Sequence, residues 1–205
     1  MKAMKKAPKD WSDVTLNQLI EIEAIRNDKS IDKELYPDLT RGLLILSTFT
    51  KIPYSEYEKL PIAQLKKEIA KISFLGKLPT EKKINKFWCK GYVWNVTFDL
   101  KTLSAQQFIN HYELTKDTDK IFENAHKLMA IYCEPTRIIY KPKLTDEEKA
   151  ELLRHCPVDV IYPLVLFFCN LYPLLLEGIE DYLKLANTML SETMERAIKE
   201  NQQAA

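Results

Sequence analysis

Glycine is scarce in this chain: four residues in 205, Gly42, Gly76, Gly91 and Gly178, each isolated. Loops that cradle phosphate need clustered glycines so that backbone amides can approach the anion. The common nucleotide-binding loops are therefore excluded. Histidine is scarcer still, at three. His111 stands beside Tyr112 and Glu113, His126 shares a helical stretch with Glu123 and Lys127, and His155 adjoins Cys156. A catalytic base needs a nucleophile and an orienting group in reach, and isolated histidines are far more often surface or satisfied core residues. Neighbours along a helix do not face each other, so His155 and Cys156 do not make a thiol-protease pair.

The four cysteines, Cys89, Cys133, Cys156 and Cys169, lie far apart without a Cys-x-x-Cys. Structural zinc sites bring their ligands in close pairs, so none is expected. The basic N-terminus, Met1 to Lys9, lacks the apolar stretch of a secretory signal. All four cysteines are accordingly expected as reduced thiols of a cytosolic protein, Cys133 and Cys169 as small core residues. Net charge is missing too: 30 basic residues against 29 acidic leave +1. Nucleic-acid binders carry a basic excess on the docking domain, so sequence-specific binding is not expected. Tyr132, Arg137, Tyr140 and Lys141 mix aromatic and basic side chains as a single-strand surface does, but no wider basic field surrounds them.

A long apolar run is also lacking. Residues 160–176 carry no charge, yet they fall at the low edge of the roughly 20 residues a membrane span needs. They include Pro163, Asn170 and Pro173, and Asp159 and Glu177 close them. Pro163 and Pro173 can each open a helix, which makes this run two buried core helices rather than one span.

What is present is helical periodicity. Thr15 precedes a short amphipathic helix through Leu16, Leu19, Ile20 and Ala24 that ends near Asn27. The charged stretch from Asn27 to Glu34 reads as a loop. Pro37 opens a second helix, and Pro53 and Pro61 punctuate two further segments. Ser104 with Gln107, and Thr145 with Glu148, are capping boxes that open later helices. Between them Asp119 to Tyr132 form another, stopped by Glu134-Pro135, with Arg137 to Tyr140 as a short extended piece. Asp146, Glu147 and Glu148 cluster in a first helical turn, where carboxylates complement the dipole.

One stretch breaks the helical pattern: Phe87-Trp88-Cys89-Lys90-Gly91-Tyr92-Val93-Trp94-Asn95-Val96-Thr97-Phe98, an aromatic hairpin. With Lys90-Gly91 as a two-residue turn, Cys89 faces Tyr92 and Phe87 faces Trp94. Phe87, Cys89, Tyr92, Trp94, Val96 and Phe98 then share an apolar face, and Trp88, Val93, Lys86 and Asn95 share the other. A longer loop with Gly91 alone at positive φ is an equal alternative that exchanges some of these faces. An isolated two-stranded ribbon is marginal in water, so it must lie against this protein's helices or against another chain.

The resulting organisation is mainly α: a bundle-like domain with one central hairpin and a long C-terminal helix. Residues 1–10 form a basic arm, 11–80 a helical front half, 81–100 the hairpin, 101–177 a helical back half and 178–205 an amphipathic helix, all one globular unit. Along the last, Tyr182, Leu183, Met189, Leu190 and Met194 make an apolar stripe. The partner-binding candidates are this stripe and the hairpin tip, Trp88 and Val93, because aromatic and methionine side chains suit interface cores. The alternative for Trp88 and Val93 is a place under the N-terminal helices.

The order of parts resembles small morphogenesis proteins of tailed bacteriophages, tail assembly chaperone-like or neck and tail-associated, as in phages of gut Bacteroidales. The segments that carry it are "TLNQLIEIEAI", "LLILSTFTKIPYSEYEKLPIAQLKKEIAKISFL", "KFWCKGYVWNVTFDL", "KTLSAQQFINHY", "HKLMAIYCEP" and "PLVLFFCNLYPLLL", spanning about Trp11 to Tyr182. The resemblance implies a non-enzymatic assembly or structural role without cofactors. It implies tail, connector or baseplate partners and the chain itself, in the host cytoplasm during assembly and in the virion if retained. Two alternatives come from the residues: a cytosolic helical ligand-binding or regulatory protein, and a membrane-associated protein using residues 160–176.

Overall fold

In the computed structural model the chain is largely α-helical with a small antiparallel sheet. The structure describes residues 6–79, 84–99, 102–136 and 143–170. Contacts divide the chain into two compact units, Met1–Val165 and Leu166–Ala205.

The helices begin where their capping chemistry predicts. Helix α1 (Leu16–Asn27) has Thr15 as N-cap, its hydroxyl accepting from the Gln18 amide while the Gln18 side chain accepts from the Thr15 amide. Helix α2 (Pro37–Thr50) starts on Pro37, whose missing N–H belongs to a position without an intrahelical partner. Two short helices follow, α3 (Tyr54–Glu58) and α4 (Ile62–Ala70), each with a proline at its N-cap. After the hairpin come α5 (Ala105–Thr115), α6 (Ile121–Tyr132) and α7 (Asp146–Leu153), the first and last opened by the expected capping boxes. Helix α8 begins at residue 158 and is described as far as 170. The 27–34 stretch contains a single 3-10 turn, Ile31–Lys33, whose Ile31 is buried.

Helix α6 is the centre of the first unit. It lies against α1, α5 and α7, and Ala125, Leu128, Met129, Ala130 and Tyr132 are all buried. Leu16, Leu19 and Ile22 from α1, Leu43, Leu46 and Phe49 from α2, and Leu153 from α7 complete the core. The start of α1 is fastened to the corner between α7 and α8. Leu16 N–H donates to the Cys156 carbonyl at 2.9 Å and Asn17 N–H to the Arg154 carbonyl at 2.8 Å, while Val158 N–H donates back to Val14. Two first-turn amides that α1 cannot satisfy internally thus find partners across the chain.

The hairpin is β1 (Lys86–Cys89) and β2 (Tyr92–Val96). Its register pairs Cys89 with Tyr92, Trp88 with Val93, Phe87 with Trp94 and Lys86 with Asn95. Lys90 and Gly91 both hold positive φ, 51° and 78°, as a type I′ turn requires. Of the two turn geometries, the structure takes the two-residue one.

Three expectations are corrected. The ribbon is not two-stranded: Cys133–Thr136 forms a third strand, β3, antiparallel to β2. Helix α6 does stop at Tyr132, ahead of Glu134-Pro135 as expected, but Pro135 then sits within β3, opposite Trp94, whose backbone is turned toward β1. The missing proline N–H therefore points out of the ladder, where an edge strand tolerates it. Pro163 does not open α8; the helix starts five residues earlier, after Pro157, whose carbonyl accepts from Val160 and Ile161. Finally, the four thiols are not all free. Cys89 and Cys156 form a disulfide with Cα atoms 5.6 Å apart, because the turn of the hairpin sits on the corner between α7 and α8. Cys133 is a buried free thiol, as expected of a small core residue, and Cys169 is half-buried.

Among the described residues no helix is long and apolar enough to cross a membrane. The C-terminal helix expected over 178–205 lies outside the described residues, and so does the extended piece expected from Arg137 to Tyr140.

Candidate functional site

The register of β1, β2 and β3 sorts the sheet into two faces. Phe87, Cys89, Trp94, Cys133 and Pro135 are buried on the inner one. Phe87 and Trp94 stack with ring centroids 6.2 Å apart, and the Trp94 indole N–H donates to the Cys89 carbonyl at 3.1 Å. The disulfide leaves this face, so the tip is held from below by a covalent bond, an aromatic stack and a buried hydrogen bond.

On the outer face two rows run across the strands. One is Trp88, Val93 and Thr136; the other is Lys86, Asn95 and Glu134. Trp88 is 61 % exposed and Val93 is half-buried beside it. Trp88 therefore does not lie under the N-terminal helices. The second row is tied to its surroundings: Asn95 donates across to Thr136 Oγ1 in the first row at 3.2 Å, and Glu134 accepts from Lys149 Nζ at 2.7 Å. Lys149 is itself nearly buried and also reaches Asp146 at 3.1 Å. Its pKa is raised: burial works against the charge, but the two carboxylates outweigh it.

β1 is an open edge. In an antiparallel pair, alternate residues turn their backbone toward the partner strand. Asn85 accepts from Val96 N–H at 2.9 Å, so Asn85, Phe87 and Cys89 face β2, while Lys86 and Trp88 turn their N–H and C=O outward. Among the described residues no hydrogen bond engages those outward groups. A large exposed aromatic and a row of unused main-chain groups thus occupy one short strand.

The other sequence candidates fall elsewhere. His111 is buried on α5 with its Nδ1 2.7 Å from the Tyr132 hydroxyl, and burial lowers its pKa to about 4. His126 is buried on α6, where Arg154 contacts its Nε2 at 3.0 Å. A guanidinium can only donate, so His126 accepts there, is neutral and carries its proton on Nδ1. Burial, with Arg154 and Lys127 as lesser causes, lowers its pKa to about 4. Arg154 also donates to Asn17 Oδ1 at 3.3 Å and pairs with Glu151 at 3.4 Å, joining α1, α6 and α7. His111 and His126 are thus buried core histidines, each with one ring nitrogen engaged by a neighbouring side chain.

His155 is exposed and pairs weakly with Glu151 at 4.0 Å, while its neighbour Cys156 is bound in the disulfide. A thiol nucleophile at that position is ruled out. Burial pushes the Cys133 thiol far up and makes it inert. Tyr132 is buried, so it is no part of a nucleic-acid surface, and Arg137, Tyr140 and Lys141 lie outside the described residues. Among the described residues no group of three or more His, Cys, Asp or Glu side chains could hold a metal ion. Tyr182, Leu183, Met189, Leu190 and Met194 lie outside the described residues.

Sequence reasoning missed β3 and the disulfide, both of which position the edge. The alternation of Cys133 and Pro135 with Glu134 and Thr136 was the available signal for β3, and the breaker dipeptide masked it.

Neither a family model, nor a curated protein, nor a solved structure matches this chain.

Proposed function

We infer that this protein is a non-enzymatic binding component that meets another protein through the outer face and open edge of its sheet. Trp88 is the observation that supports this reading. It is a large aromatic left 61 % exposed on an edge strand, directly opposite Val93, in a tip held rigid by the disulfide. Rigid aromatic anchors dominate interface energetics, and an edge with unused main-chain groups can take a strand from a partner. β1 is only four residues long, so it suits a short extended segment, and Lys86 on the same face favours an acidic one.

The resemblance to tailed-phage morphogenesis proteins supplies the class of partner: tail, connector or baseplate proteins, or a second copy of the chain. On that reading the protein acts in the host cytoplasm during assembly or remains in the virion, and needs no cofactor. The apolar stripe Tyr182, Leu183, Met189, Leu190 and Met194 belongs to the same proposal as a second contact.

The test is an affinity pulldown of the tagged chain from its native source, with mass spectrometry, beside a Trp88→Ala/Val93→Ala variant. The expected result is loss of specific structural partners in the variant with its thermal unfolding nearly unchanged. Identical partners for both proteins would overturn the reading, and so would a large stability loss in the variant. A cavity at the far end of α2 favours ligand binding as a second activity.

A further inference from the structure

A cavity of about 1170 Å³ lies between the end of α2, α3, the end of α4 and residues 6–9. Ile52, Leu60, Ala70 and Phe74 supply apolar walls. The N-terminal side is fixed by Trp11, which meets Phe74 edge-to-face at 5.5 Å and donates its indole N–H to the Lys77 carbonyl at 2.6 Å. Thr50 and Tyr57, both buried, form the base. Thr50 Oγ1 donates to the Leu46 carbonyl at 2.8 Å. Its only hydrogen is then committed, so the 2.7 Å contact with Tyr57 is donated by the tyrosine hydroxyl. Both hydroxyl hydrogens are used within the fold, and the base presents no side-chain donor to a guest.

The mouth is different. Lys6, Lys9, Lys51 and Lys71 stand round it against Glu56 and Glu68. Both carboxylates are already engaged, Glu68 by Lys71 at 2.5 Å and Glu56 by Lys59 at 2.7 Å. Lys51 Nζ is 3.9 Å from Glu21, and Lys6 and Lys9 make no ion pair among the described residues. Positive charge is left in surplus. Lys51 also holds φ at 60°, at a helix C-terminus where glycine is the unstrained residue. Backbone strain and a cation coincide at this mouth.

We propose that the cavity binds a single-chain amphiphile with one anionic head, its chain running to the base and its carboxylate or phosphate among the lysines. A polar head finds no donor at the base, and burying it there unpaired is unfavourable. At the mouth it meets ammonium groups, the stronger charge-assisted partners. The volume exceeds the roughly 300–1,000 Å³ of ordinary small-molecule pockets, so a chain of about a dozen carbons fits. This assignment does not rest on docking through Trp88.

The full chain is titrated calorimetrically with decanoate below its micelle concentration, with decanol, and with phosphatidylglycerol vesicles. The expected result is saturable one-to-one binding of decanoate, weakened about tenfold in Lys9→Gln/Lys51→Gly, with decanol indifferent to those changes. Lys51→Gly removes strain together with the cation, so the variant folds, and its thermal unfolding without ligand verifies that. Ala70→Trp, at an exposed position on the wall, blocks decanoate and decanol alike. Unsaturable binding, equal decanoate affinity in wild type and the double variant, or binding to vesicles alone would each overturn the assignment. So would displacement of a bound anilinonaphthalene sulfonate probe by an acidic amphipathic peptide but not by decanoate, which would make the cavity a peptide groove.

Discussion

Lowering the pH should unfold this protein through two histidines. His111 and His126 are both buried, at 2 % and 3 % exposure, and both are held neutral with pKa values near 4. In the unfolded chain each returns to about 6.5. A folded pKa below the unfolded one means that the unfolded state binds more protons between those values. The stabilisation is thus complete above about pH 6.5 and is lost as the pH falls toward 4. Linkage gives about 2.5 kcal/mol for each histidine by about pH 4.5, or about 5 kcal/mol for both, which is a large part of a domain's whole stability. Protonating His126 sets an imidazolium against the Arg154 guanidinium that now donates to it, with Lys127 also near. Protonating His111 places a charge in the core and makes its Nδ1 a donor toward the Tyr132 hydroxyl.

Urea unfolding at a series of pH values from about 7.5 to 4.5 measures the effect. With a slope of about 2.5 kcal/mol/M, the wild-type midpoint should fall by about 2 M across the window. Carboxylates add a background of the same sign, because Asp10, Asp28 and Asp117 all have lowered pKa values from hydrogen bonds they accept. A His111→Gln/His126→Gln variant isolates the histidines: glutamine does not titrate and can still accept from Arg154. Its profile should be markedly flatter than the wild type's. Parallel profiles would refute the assignment of the acid transition to these two residues.

Reduction or a Cys89→Ser/Cys156→Ser change should cost about 4 kcal/mol by the loop-closure model, given the sequence separation of 67. Labelling with a thiol reagent under denaturing, non-reducing conditions should modify only Cys133 and Cys169. Lys149→Ala should destabilise by about 1 kcal/mol, since it removes the cation shared by Glu134 and Asp146, whose exposed carboxylates return to water. Because the Lys149 pKa is raised on folding, its contribution is present below the unfolded lysine value and disappears as pH rises through the folded one. Lys90→Asn should stabilise by about 0.5 kcal/mol, as asparagine tolerates the positive φ at that turn position better than lysine; thermal unfolding reads either change.

The local half of this architecture was open to sequence reasoning. The capping boxes at Ser104 and Thr145 depend on side chains three residues apart, and both are present in the structure, as is a third at Thr15. The hairpin register follows from one turn and a two-residue period, and it places Trp88 and Val93 side by side as expected. Non-local features were not legible. Cys89 and Cys156 meet only because the sheet folds onto the corner between α7 and α8, and nothing near either cysteine announces that. Pro135 reads as a breaker until the orientation of Trp94 shows that its missing N–H is not needed. The cavity has no motif at all, since its lysines and apolar walls come from three separated segments.

The clamp between the start of α1 and the α7–α8 corner also bears on synthesis. Asn17 and Arg154 are 137 positions apart, so the first turn of α1 waits for its acceptors while that length of chain is translated. At about 5–20 residues per second the wait is roughly 7–30 s. Throughout it, α1 has only α2 to pack against, and the part of its surface that α6 covers in the finished fold stays open to whatever surrounds the ribosome.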